Sequence, residues 1–146
     1  MQNKFVNCFS EILPVIYPSF TERYDEEKNE LVFLDNGNIE TGTYKIKYKT
    51  SCEAFVNHFH LFDKFPESEF EKVFAIGDKI AKNLIRRLDE CYPDKKFVVY
   101  LEINRKDSTI IRFHQLWENE PPYFDMAFKY PDTEIFEYKN QYKTED

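Results

Sequence analysis

Residues 68–91 constrain the fold more than any other stretch of the chain. Phe70, Val73, Phe74, Gly77, Ile80, Ala81, Leu84, Leu88 and Cys91 recur at spacings of three and four, which lays them along one stripe of a long amphipathic helix. Ser68 with Glu71 three residues later forms a capping box, and Pro93 stops the far end by driving the preceding residue out of helical backbone. Lys79, Lys82, Arg86 and Arg87 occupy the second half, where positive side chains complement the helix dipole. The apolar run 97–103 follows at once and reads as a central strand. The helix is therefore expected to lie across a sheet.

Around this pair the other elements can be ordered. Residues 4–17 carry Phe5, Phe9, Ile12, Leu13 and Ile16 at helical intervals, and Pro14 ends or kinks that helix. Residues 31–34 form a short strand before an Asp35-Asn36-Gly37 turn. In residues 43–49 Tyr44, Ile46 and Tyr48 alternate with Lys45, Lys47 and Lys49, so this strand is expected to pair with 31–34 as a hairpin. Thr50 with Glu53 suggests a second capping box, opening a helix to about Phe62 through Cys52, Phe55 and Phe59. After 97–103, a polar turn leads into a strand over 109–117 that pairs back as a hairpin. The expected fold is α+β, an antiparallel sheet of about 4–5 strands packed against the long central helix and one or two shorter helices. One domain over 1–146 is expected, with residues 140–146 as a frayed tail.

Charge and cysteine usage narrow the function. Acidic side chains number 27 against 20 basic ones, a formal charge of -7, which disfavours nucleic acid and suits a basic macromolecular partner. Cys8, Cys52 and Cys91 are odd in number, widely spaced and without a CxxC pair, as in a reducing cytosol. Neither a membrane-length apolar run nor a signal-peptide pattern stands out, so a cytoplasmic protein without membrane attachment is expected. Gly37, Gly42 and Gly77 match no phosphate-binding loop.

Each catalytic template meets an objection. His58 and His60 are two apart, which separates them on a helix although it would serve a metal on a strand. Pairing Cys52, Cys91 or Cys8 with His114 would give a thiol nucleophile, but Cys52 and Cys91 fall on apolar helix stripes where burial silences a thiol. Lys45, Lys47 and Lys49 form the one basic stripe, and Tyr44 and Tyr48 alternate away from it. No catalytic residue, metal ligand or cofactor is assigned. The alternatives kept open are a small hydrolase or metal-dependent enzyme using histidines and carboxylates, and a nucleic-acid-binding regulatory module.

A protein-binding face fits better. Trp117, Glu118, Glu120, Tyr123, Phe124 and Asp125 combine large aromatics and carboxylates around Pro121 and Pro122, which stiffen the loop and lower the cost of ordering it. Asp25, Glu26 and Glu27 supply a second acidic stretch for the same role.

Residues 111–125 also resemble a segment of small bacterial immunity proteins of polymorphic or contact-dependent toxin systems. There a strand with a Phe-His pair leads into a polar turn, a Glu-Pro pair and an aromatic. Phe113 and His114 match the pair, Glu120 and Pro121 the turn, and Tyr123 the aromatic, while Trp117 and Glu118 replace the family's basic residue. The resemblance implies a non-enzymatic inhibitor of a toxin domain, often a basic nuclease, whose acidic residues stand in for substrate phosphates.

Overall fold

The computed structural model describes residues 15–35 and 47–140. The helix expected over 4–17 lies largely outside them, as do Cys8, the turn at 36–38, the strand residues 43–46 and the tail beyond 140.

Among the described residues, six strands and two helices follow in the order β1 (Phe20–Tyr24), β2 (Glu30–Leu34), α1 (Lys49–Val56), β3 (His58–Asp63), α2 (Phe70–Cys91), β4 (Phe97–Asn104), β5 (Ser108–Gln115) and β6 (Thr133–Lys139). A four-stranded antiparallel sheet runs β3-β5-β4-β6, and β1 and β2 form a separate two-stranded sheet. The α+β expectation holds: an antiparallel sheet packs against one long and one shorter helix.

The strand alternation sorts the larger sheet into two faces. Phe97, Val99, Leu101 and Ile103 of β4 and Ile111 and Phe113 of β5 turn inward onto Val73, Ile80, Ala81, Leu84 and Leu88 of α2. At Gly77 the helix comes so close that an added Cβ would lie 2.7 Å from Leu101 Cδ1. Val32 and Leu34 of β2 join this same core. The opposite face carries Tyr100, Glu102, Arg112, His114, His58 and His60, since Tyr100 pairs with Arg112 and Arg112 with His58.

Several local expectations are corrected. β2 pairs with β1, and of the strand expected over 43–49, whose residues 43–46 lie outside the described residues, Lys49 belongs to α1. That hairpin closes through Asp25, whose carboxylate accepts the Glu27 and Asn29 backbone N–H groups, with Lys28 at φ 64°. The second helix ends at Val56, and residues 58–63 form β3, because Arg112 and Ile110 of β5 are there to pair with. The long helix begins at Phe70 after a 3-10 turn, Glu67–Glu69, so Ser68 provides no side-chain cap. Cys91, expected to be buried, ends α2 exposed. Asn140, placed in the frayed tail, is buried: its Oδ1 accepts Phe97 N at 2.9 Å and its Nδ2 donates to Lys95 O at 2.7 Å.

Candidate functional site

The site centres on Glu53, whose spacing from Thr50 suggests a capping box that α1 does not form. Glu53 is fully buried in the middle of α1, and its carboxylate joins three pieces of chain. Oε1 accepts Gln115 N at 3.0 Å and Trp117 Nε1 at 2.6 Å, while Oε2 accepts Val32 N at 3.0 Å and Gln115 Nε2 at 2.9 Å. One turn on, Asn57 bridges β2 in the same manner, donating to Val32 O at 2.8 Å and accepting Leu34 N at 2.7 Å. Glu53 of α1 and Asn57, the residue that caps its C-terminus, thus satisfy backbone groups that a neighbouring strand would otherwise pair. Burial pushes the Glu53 carboxyl up to about 7, and the hydrogen bonds from Val32, Gln115 and Trp117 oppose that rise.

Trp117 is therefore anchored at its nitrogen, with Lys49 Nζ 5.1 Å above its ring. The turn after it passes through Asn119 at φ 64°, a conformation asparagine tolerates, and brings Glu120 to the start of α1. There Glu120 accepts Thr50 N at 2.8 Å and Lys49 N at 3.3 Å and pairs with Lys49 Nζ at 3.1 Å. A carboxylate 70 residues away thus caps a helix whose own N-cap, Tyr48, has no side-chain cap bond. Burial raises the Glu120 pKa, but these N–H groups and Lys49 outweigh it and hold the carboxyl below its ordinary value.

With Trp117 and Glu120 committed inward, the outward surface belongs to their neighbours. Tyr48, Thr50, Ser51, Glu120, Pro121, Pro122 and Tyr123 line an open groove of about 500 Å³. Tyr48 is 54% exposed and Tyr123 42%. Glu118, in the same loop, is exposed. Tyr48, which alternates away from the lysine stripe in the sequence, faces out. Asp25, Glu26 and Glu27 share a smaller hollow with Lys47 and Lys49. Slight desolvation at Asp25 is outweighed by hydrogen bonds from Asn29 and Glu27 and by the charge of Lys49, so its carboxyl sits below its ordinary value. The two acidic stretches are distant in sequence and both border the 47–51 segment. Asp125 works within its loop, its Oδ1 accepting Ala127 N at 3.0 Å and its own N–H donating to the Tyr130 hydroxyl. Of the basic stripe, Lys45 lies outside the described residues, and Lys49 is held by Glu120 and Trp117.

The same loop lies over the outer face of the sheet. Phe124 packs edge-on against Tyr100 and Tyr130, and Arg112 lies 4.9 Å above the Tyr123 ring. His114 is sealed beneath: Nδ1 donates to Gln115 O at 2.7 Å and Nε2 accepts Tyr123 N at 3.1 Å. Burial lowers its pKa, and the accepted N–H requires the neutral ring. Both nitrogens being occupied by backbone, this histidine has no position from which to take a proton from a thiol. Burial and the nearby Glu53 charge push the Cys52 thiol up to about 11, which keeps it protonated.

Arg112 links the two halves of this face. Its Nε donates to Glu102 at 2.8 Å and its Nη1 to Ala54 O at the end of α1 at 2.8 Å. Burial raises the Glu102 pKa, and Arg112 opposes the rise. Gln115, Asn57, Glu102 and Arg112 had gone unnoticed in the sequence. Their one signal was an amide or charge placed inside otherwise apolar strands or at a helix end.

Among the described residues no three His, Cys, Asp or Glu side chains are grouped so as to hold a metal ion, and no helix is long and apolar enough to cross a membrane. No protein-family model matches the chain, and no curated protein or solved structure matches it either.

Proposed function

We propose that the chain is a non-enzymatic protein-binding module, a cytoplasmic immunity protein that neutralises a toxin domain, with a basic nuclease domain as the partner of best-fitting charge. The observation that carries this reading is the groove of Tyr48, Pro121, Pro122 and Tyr123, with Glu118 exposed in the same loop and Asp25, Glu26 and Glu27 sharing a hollow with Lys47 and Lys49. Exposed tyrosines supply contact area at low entropic cost, and the prolines limit what the loop loses on binding. Glu120 and Trp117 contribute by holding the loop from within, so the face is formed before a partner arrives. The net charge of -7 steers a basic partner toward it.

The test is co-expression with a basic nuclease toxin domain, taken from a neighbouring gene where one encodes it, followed by calorimetry on the purified pair. Growth rescue and a stoichiometric complex are expected. Tyr123→Ala with Glu118→Lys should weaken binding at least tenfold while leaving the melting temperature in place. Full affinity in that double variant removes the assigned face, and absence of both rescue and complex overturns the function.

A further inference from the structure

We propose that His58 and His60 form a two-imidazole site for a divalent transition-metal ion of the zinc, nickel or copper class. On a helix their spacing would separate them, but β3 places both on the outer face of the sheet, opposite Arg112 and Ile110, before the bulge that follows His60. Their ring centres are 5.5 Å apart with the planes at 74°. Two imidazoles bound through nitrogen to one tetrahedral ion, each at about 2.0–2.1 Å, have their ring centres roughly 5 Å apart, so the pair stands close to chelating distance.

A second feature points the same way. His58 Nδ1 lies 2.6 Å from Phe55 O, and since a carbonyl only accepts, Nδ1 carries the proton. That fixes the tautomer with the Nε2 lone pair available, the arrangement metal-binding histidines commonly use to orient the ring and raise its basicity. His58 is half-buried and His60 exposed, so an ion reaches both from solvent.

The charges around the pair permit a cation. Arg112 stands opposite His58, but Glu102 clamps its guanidinium at 2.8 Å and balances its charge. Glu102 also shares the ladder row of His60, through Ile110. With two protein ligands, the remaining coordination positions go to water. Imidazole donors select borderline ions over hard ones, so copper should bind more tightly than nickel or zinc, and magnesium should not compete.

The experiment is titration of the untagged full chain with NiCl2 and ZnCl2, followed by calorimetry and by long-range 1H–15N NMR of the imidazoles. One ion per chain is expected, with His58 and His60 resonances moving together while His58 Nδ1 stays protonated. His58→Gln and His60→Gln should each weaken nickel binding at least tenfold, and Cys91→Ser should leave it unchanged. The absence of saturable uptake overturns the site. So does an unaltered affinity in either histidine variant, a loss in Cys91→Ser, or equal binding of MgCl2. If a histidine variant unfolds, the NMR of the unaltered chain decides, and movement of one imidazole without the other rejects the pair.

Discussion

The two helices are attached to the fold by opposite kinds of chemistry. Helix α2 presents Val73, Ile80, Ala81, Leu84 and Leu88 to an apolar sheet face, and its attachment is area removed from water. Helix α1 presents Glu53 and, at its C-cap, Asn57, and its attachment is a set of directed hydrogen bonds to β2, β5 and Trp117. The first interface tolerates substitution that keeps volume and apolarity. The second tolerates almost none, because an acceptor removed there leaves several buried donors unpaired.

The comparison breaks most sharply at Glu53. Glu53→Ala strands Val32 N, Gln115 N, Gln115 Nε2 and Trp117 Nε1, and should cost about 3–5 kcal/mol in chemical denaturation. Glu53→Gln should recover little of that loss, since its amide sets new donors against existing ones. On the apolar side, Leu84→Ala should cost roughly 2–5 kcal/mol through lost transfer energy and the cavity left behind, and Leu84→Met under about 1.5 kcal/mol. Equal losses for Glu53→Gln and Leu84→Met would erase the distinction.

Acidity separates the two regions further. An unfolded Glu53 titrates near its ordinary 4.5, and the folded group near 7, so between those values the folded chain holds a proton that the unfolded chain has released. The stability from this group is therefore full below about 4.5 and is lost as pH rises through about 7. The chain has a single tryptophan, whose indole donates to that carboxylate. Its fluorescence should titrate with a midpoint near 7 in the native protein and stop doing so in Glu53→Gln. A flat profile between pH 5 and 8, a window that brackets this value, would show that the carboxyl does not titrate there.

A smaller effect is expected at the helix start. Glu120→Ala removes the cap on Lys49 N and Thr50 N and should cost about 1–2 kcal/mol, read as a lower melting temperature. Smallest of all, Glu118→Lys should change stability by no more than about 0.5 kcal/mol, because Glu118 is exposed and its role lies in the proposed partner interface.

How much was legible follows the same division. The stripe from Phe70 to Leu88, the β4–β5 hairpin and the central place of β4 could all be read from periodicity, because apolar burial writes itself as a repeat. The 117–125 loop was legible as aromatic, acidic and stiff. That composition leaves open whether Trp117 closes the core or meets a partner, and the structure engages both Trp117 and Glu120 in bonds to α1. Helical spacing of Phe55, Phe59 and Phe62 carries the expected helix on to about Phe62, and the pairing edge of β5 overrides that local preference from His58 onward. The Thr50–Glu53 motif has the right letters for a cap, but the N-cap falls two residues earlier, at Tyr48, and Glu53 is drawn inward by four donors.

The order of residues was enough to settle an α+β chain with a long amphipathic helix across an antiparallel sheet, since hydrophobic burial depends on spacing along one element. Tertiary structure alone decided which carboxylate caps α1, which strand pairs with β2 and that His58 and His60 share a face. Hydrogen bonds and ligand geometry depend on atoms from distant segments meeting within about 3 Å, and no repeat in the chain records such a meeting.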